Sequence, residues 1–291
     1  MSGKVLVCWF LLLSTPRIAF PQKAVASRAP ESPKESFARE AIFYSPSLDR
    51  DMHYLVLLPH DYANGSSFAV LYLLHGLYGD YQNWDTRTGI EGYAQTISFL
   101  IVMPDADNSW YTNSASVPRD KFEDYITKDL ISEIDAKYRT IREKRGRAIA
   151  GLSMGGYGAV KLAIRHPELF AFSGSLSGAF NAPRNLDRLR PEFGAKLVEV
   201  FGSAKNDARK QNDIFLLLNT ANEYPYFYLA CGTADFFLDT NRALAAQLSS
   251  QNVPHEYHET AGGHTWEYWD SALTALLQAT ARQFALTPGA R

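Results

Sequence analysis

The sequence predicts an α/β fold with a mainly parallel central sheet flanked by helices. Three observations carry that expectation. Short apolar runs, such as those at 69–74 and 99–103, have the unbroken character of strands buried on both faces. Segments with helical spacing separate those runs, and strands alternating with helices build parallel sheets with right-handed crossovers. The chain has 291 residues, no internal repeat and no second composition regime, which suits one large domain with a substantial core.

The elements follow in order. Residues 1–26 read as a signal peptide. Lys4 supplies positive charge, 5–13 is an apolar run far too short to span a bilayer, and Ala24-Val25-Ala26 offers a small-x-small cleavage site, with cleavage after Ala26. The expected location is therefore secreted or periplasmic. Residues 27–37, rich in Pro, Ser and charge, read as a disordered linker, and the domain is expected over 38–286. Within it, 50–59 is a strand, 61–67 a polar turn, and 69–74 and 99–103 buried strands, the last closed by Pro104. Phe122, Ile126, Leu130, Ile134 and Tyr138 fall four apart, which predicts a helix whose apolar stripe drifts slowly round one face. Then come a strand at 148–152, a helix at 155–165 stopped near Pro167, and a strand at 172–176. Residues 177–224 break the alternation and read as a cap-like insertion. A strand at 227–231, a helix at 240–251, a strand at 253–258 and a helix at 266–284 complete the domain.

The segment 151–155, Gly-Leu-Ser-Met-Gly, lies between a strand and a helix. A serine hydroxyl becomes a nucleophile only when a base removes its proton and donors stabilise the oxyanion that forms. A sharp strand-to-helix turn would expose Ser153 at the carboxyl end of the sheet. It would also aim the Met154 N–H at the reacting carbonyl. The alternative is a Gly-rich turn with an incidental serine. A second oxyanion donor is expected on a loop after an earlier strand, and His75-Gly76-Leu77 supplies it through the Leu77 N–H. His75 precedes the serine and reads as structural. Asp235, on the loop after 227–231, and His264, on a Gly-rich loop before the last helix, follow in the order acid, then base. Asp239 is the competing acid, but it reads as an N-terminal residue of the next helix. Trp110 and Tyr111 sit on the loop after 99–103, where they would either line a substrate pocket or cover the core.

Taken together, "LLHGLYGDYQNW", "NSWYTNSA", "GLSMGGYGAVKLA", "CGTADFFLDTNRALAAQL" and "GGHTWEYW" resemble the esterase D-type branch of the α/β-hydrolases. The likeness covers about residues 40 to 285, five motifs in the right order, and is greatest to tributyrin-type carboxylesterases. Related members are S-formylglutathione hydrolases, feruloyl esterases and mycolyltransferases. The resemblance implies an α/β-hydrolase fold with Ser153 as nucleophile, Asp235 as acid, His264 as base and the Leu77 and Met154 backbones as oxyanion donors. It implies hydrolysis of small or polysaccharide-linked carboxylic esters, with feruloyl or acetyl-xylan ester hydrolysis and acyl transfer as alternatives. The early loop has Gly79 and Asp80 but no cysteine, which departs from the S-formylglutathione hydrolases.

Composition narrows the rest. A formal net charge of −2 and a pI near 6.4 argue against nucleic acid as a partner, since no basic field is present to hold phosphates. No integral membrane span is expected. His255 and His258 point to opposite faces of a strand and lack a third ligand, so no metal or other cofactor is expected. Cys8 falls in the signal peptide, which leaves Cys231 alone in a mature chain.

Overall fold

The computed structural model describes residues 38–184, 186, 191–203 and 206–286; the expected signal peptide and linker lie outside them. Eight strands form one sheet in the order β1-β2-β4-β3-β5-β6-β7-β8. They are β1 (Ala38–Ser45), β2 (Arg50–Leu57), β3 (Ala69–Leu74), β4 (Phe99–Pro104), β5 (Arg147–Leu152), β6 (Phe172–Leu176), β7 (Tyr226–Gly232) and β8 (His255–Thr260). The first two form an antiparallel hairpin, β2 joins β4 antiparallel, and every pairing from β4 across to β8 is parallel. This is the α/β-hydrolase architecture that the sequence predicts.

The helices are α1 (Asn83–Arg87), α2 (Ile90–Ala94), α3 (Phe122–Asp124), α4 (Ile131–Lys137), α5 (Met154–Arg165), α6 (Pro191–Phe201), α7 (Asp207–Gln211), α8 (Ile214–Leu217), α9 (Leu238–Ser250) and α10 (Trp266–Leu286). They cover both faces of the sheet, which is why the central strands are apolar throughout. Alternate residues of β3 go to opposite layers. Val70, Tyr72 and Leu74 join the core under α5 and α9, while Leu71 and Leu73 join the core under α10.

Besides the short helices α1 and α2, which were not anticipated, two elements differ from the sequence expectation. The hairpin partner β1 was not anticipated as a strand. It is an edge strand whose side chains, including Ile42 and Tyr44, stay largely exposed, so it carries no buried run to reveal it. The 122–138 helix is interrupted by a π-helical stretch, Tyr125–Leu130. A π turn holds more residues than an α turn, and this one offsets the drift of a four-residue repeat. Phe122, Ile126, Leu130 and Ile134 are all buried as a result.

Candidate active site

Strand β5 runs into Ser153, and α5 begins at Met154. The turn is sharp. Ser153 has φ 52° and ψ −113°, a conformation that costs a non-glycine residue roughly 1–3 kcal/mol. Neighbouring backbone over-determines it. The Ser153 N–H donates to the Leu176 carbonyl at 2.9 Å, and the Ser153 carbonyl accepts from Tyr157 at 3.0 Å and Ala179 at 3.2 Å. Side chains are excluded on either side: a Cβ on Gly155 would lie 2.5 Å from the Leu74 carbonyl oxygen, and one on Gly151 2.6 Å from the Gly155 carbonyl carbon. The glycines that suggested a turn are thus required by close approach of β3 and α5.

Asp235 and His264 come to the same sheet edge on the loops after β7 and β8. His264 Nε2 lies 2.9 Å from Ser153 Oγ, and His264 Nδ1 lies 2.9 Å from Asp235 Oδ2. An ionised carboxylate can only accept, so Nδ1 carries the proton and Nε2 is left to accept from the serine hydroxyl. The two loops are pinned together, with the Ala234 N–H donating to the Gly262 carbonyl at 2.8 Å. The imidazole is boxed by aromatic rings. Centroid distances are 4.4 Å to Phe236, 5.2 Å to Phe237 and 4.8 Å to Trp269.

Burial alone would raise the Asp235 pKa. Hydrogen bonds from His264, the Phe237 N–H and the Ser177 hydroxyl outweigh it and hold the carboxyl below its ordinary value. Ser177 was not singled out by sequence. It directly follows β6, which lies next to the elbow strand, takes a positive φ of 52°, and accepts from Trp269 Nε1 at 3.1 Å. Trp269, in the first turn of α10, therefore reaches the acid through Ser177 and packs on the base directly. Asp239 lies in the first turn of α9, where the helix dipole favours it, and makes no contact with His264 in the hydrogen-bond or ion-pair network.

The oxyanion loop follows β3. Neither the Leu77 N–H nor the Met154 N–H has an acceptor among the described residues, and Leu77 borders the cavity that contains Ser153. His75 is buried with both nitrogens engaged: Nδ1 lies 2.8 Å from the Gly76 carbonyl and Nε2 accepts from the Ala106 N–H at 3.0 Å. Burial lowers its pKa, so a neutral imidazole braces the loop and is not available as a base.

The cavity measures about 860 Å³. Trp110, Ala182 and Leu197 give it an apolar lining, the last two from the 177–224 segment; Phe236, Trp266 and Trp269 also line it, with Phe236 and Trp269 packed on His264. Asn83, Arg87 and Glu267 are polar members of the lining. Of the two aromatic candidates, Trp110 lines the cavity. Tyr111 does not. It is fully enclosed, its hydroxyl donates to the His75 carbonyl at 2.9 Å, and it supports the oxyanion loop from behind. Among the described residues, no cluster of three or more His, Cys, Asp or Glu side chains is placed to hold a metal ion. No helix among them is long and apolar enough to cross a membrane.

Comparison with known proteins agrees with this fold. Residues 45–280 match the family described as "Putative esterase". An acetyl esterase of Caldicellulosiruptor saccharolyticus is 26% identical over 246 residues, covering 78% of this chain and 92% of the relative. The esterase Rv1288 of Mycobacterium tuberculosis is 32% identical over 258 residues, 79% of this chain, but the match spans only 55% of that longer protein. Among solved structures, the fluorophosphonate-binding serine hydrolase FphF of Staphylococcus aureus superposes with a TM-score of 0.77 at 27% identity, covering 84% of this chain and 98% of that one.

Proposed function

This chain belongs to that esterase family and is a carboxylic ester hydrolase; on that premise we propose that it is an exported serine carboxylesterase for short acyl esters, with Ser153, His264 and Asp235 as its catalytic triad. The observation that carries the reading is the relay Ser153 Oγ–His264 Nε2–Nδ1–Asp235 Oδ2, both links at 2.9 Å, whose Ser153 and His264 line the cavity. In the reaction, Ser153 Oγ attacks the ester carbonyl carbon as His264 Nε2 takes its proton. Asp235 stabilises the imidazolium and stays ionised. The carbonyl oxygen becomes an oxyanion that accepts from the Leu77 and Met154 N–H groups. The tetrahedral intermediate collapses, and the alcohol leaves with the proton from His264. Water, deprotonated by the same Nε2, then attacks the acyl-Ser153 ester, and the carboxylic acid departs with Ser153 restored.

The acetyl esterase relative, aligned over most of both chains, supports a short acyl group. The apolar lining from Trp110, Ala182 and Leu197 suits one, and the 177–224 segment that supplies part of it would set the preference. Export rests on the Lys4, apolar 5–13 and Ala24-Val25-Ala26 pattern. Substituting Ser153→Ala should leave far-UV circular dichroism unchanged and cut kcat on p-nitrophenyl butyrate by about 10⁴- to 10⁶-fold. Near-full activity would overturn the assignment. Rates on tributyrin, acetylated xylan and methyl ferulate identify the ester class: the reading predicts the two short-acyl substrates above ferulate, and a dominant rate on ferulate would replace it with a feruloyl esterase.

A further inference from the structure

Helix α5, which starts at the nucleophile, carries a lysine with no exposure to solvent. A buried ammonium is unfavourable unless every donor is satisfied. Lys161 Nζ meets the Tyr111 carbonyl at 2.7 Å and Thr112 Oγ1 at 2.7 Å, with Glu123 Oε2 at 3.2 Å and Asn212 Oδ1 at 3.4 Å. Its two shortest bonds go to the loop after β4 and not to the carboxylate. Glu123 already accepts from Arg165 Nε at 2.7 Å and contacts His166 Nε2 at 2.9 Å, so Lys161 is not its only counter-charge.

The loop it grips is strained. Trp110 and Tyr111 are consecutive non-glycine residues at φ 57° and 53°, a pair that persists only under outside restraint. Tyr111 is held from three sides. Its carbonyl takes Lys161, its ring lies so close to α5 that a Cβ on Gly158 would sit 2.5 Å from Cδ2, and its hydroxyl donates to the His75 carbonyl at 2.9 Å. The His75 carbonyl belongs to the peptide just before the one that carries the Leu77 N–H.

We propose that Lys161 is a positioning residue for ester hydrolysis. It ties α5, whose first amide is the Met154 oxyanion donor, to the Trp110–Tyr111 turn, and through the Tyr111 hydroxyl it holds the His75–Gly76 peptide, next to the one that presents the second donor, Leu77. The buried lysine thus fixes the spacing of two donors that come from different parts of the chain. It also holds Trp110 against the cavity. The proposal rests on the catalytic reading above and adds how its oxyanion hole is kept in register.

The test compares Lys161→Met and Tyr111→Phe with the unmodified enzyme, using p-nitrophenyl butyrate and a short-chain trifluoromethyl ketone, whose serine adduct carries an oxyanion. Lys161→Met should lower kcat by about 10- to 100-fold with KM nearly unchanged, the mark of an interaction realised in the transition state. The ketone should lose affinity by the same factor as kcat/KM. Tyr111→Phe keeps the ring packing and the lysine bonds and removes only the hydroxyl, so it should show the same pattern in weaker form. A folded Lys161→Met enzyme with unchanged kcat and ketone affinity, even if it melts lower, would reduce Lys161 to a structural role and overturn the proposal. If that variant does not fold, unchanged kcat and ketone affinity in Tyr111→Phe overturns it instead. Failure of the catalytic reading looks different: the unmodified enzyme would then fail to hydrolyse the ester or to bind the ketone.

Discussion

Asp235 holds its charge in a buried position because His264, the Phe237 amide and the Ser177 hydroxyl all donate to it. That charge keeps the His264 proton on Nδ1 and Nε2 free for Ser153. Asp235→Asn removes it and allows the wrong tautomer, so kcat on p-nitrophenyl butyrate should fall by about 10⁴-fold. A loss under tenfold would remove Asp235 from the catalytic reading. Ser153, Asp235 and His264 were legible in the sequence because each sits just after a recognisable strand, and such loops converge at one sheet edge. Ser177 and Trp269 were not. Their roles depend on β6 ending beside β5 and on α10 folding back over that end, contacts that no local pattern reveals. Tyr111 took the second of the two places its loop left open, substrate pocket or core cover: it is buried and its hydroxyl is spent on the His75 carbonyl.

At the scale of elements, the long stretch from α3 through the π turn to α4 joins the core to the site. The four-residue spacing was readable as a helix. The π turn that keeps its stripe aligned was not, because spacing alone does not say how the backbone accommodates it. Glu123 in α3 is nearly enclosed and faces Lys161, Arg165 and His166. Burial would raise its pKa, but these three partners outweigh burial and hold it far below the ordinary glutamate value. A depressed carboxylate contributes stability that is complete above its unfolded pKa, near 4.5, and is lost as the pH falls towards the folded value. Glu123→Gln should therefore cost about 3–5 kcal/mol at pH 7, since it strands a buried ammonium. It should also flatten the fall in melting temperature below pH 4.5. Thermal melts of both proteins from pH 3 to 7 check this; parallel curves would contradict it.

Across the whole molecule, a parallel sheet with helices on both faces delivers the loops after β3, β5, β7 and β8 to one edge, so residues nearly 200 positions apart, from Leu77 to His264, border one cavity. The parallel core was legible from its doubly buried strands; the antiparallel hairpin at its edge was not, because an exposed strand leaves no apolar run. If residues 1–26 act as an export signal, the protein recovered outside the cytoplasm should begin at Ser27 by N-terminal sequencing, and a chain that retains Met1 would argue for an uncleaved anchor. The central claim, that Ser153 is the nucleophile of an ester hydrolase, is tested most directly by labelling the purified protein with a fluorophosphonate and mapping the adduct by peptide mass spectrometry. One adduct is expected, on Ser153, appearing in step with complete loss of esterase activity and absent from Ser153→Ala. An adduct on another residue, or full activity after Ser153 is labelled, would contradict it.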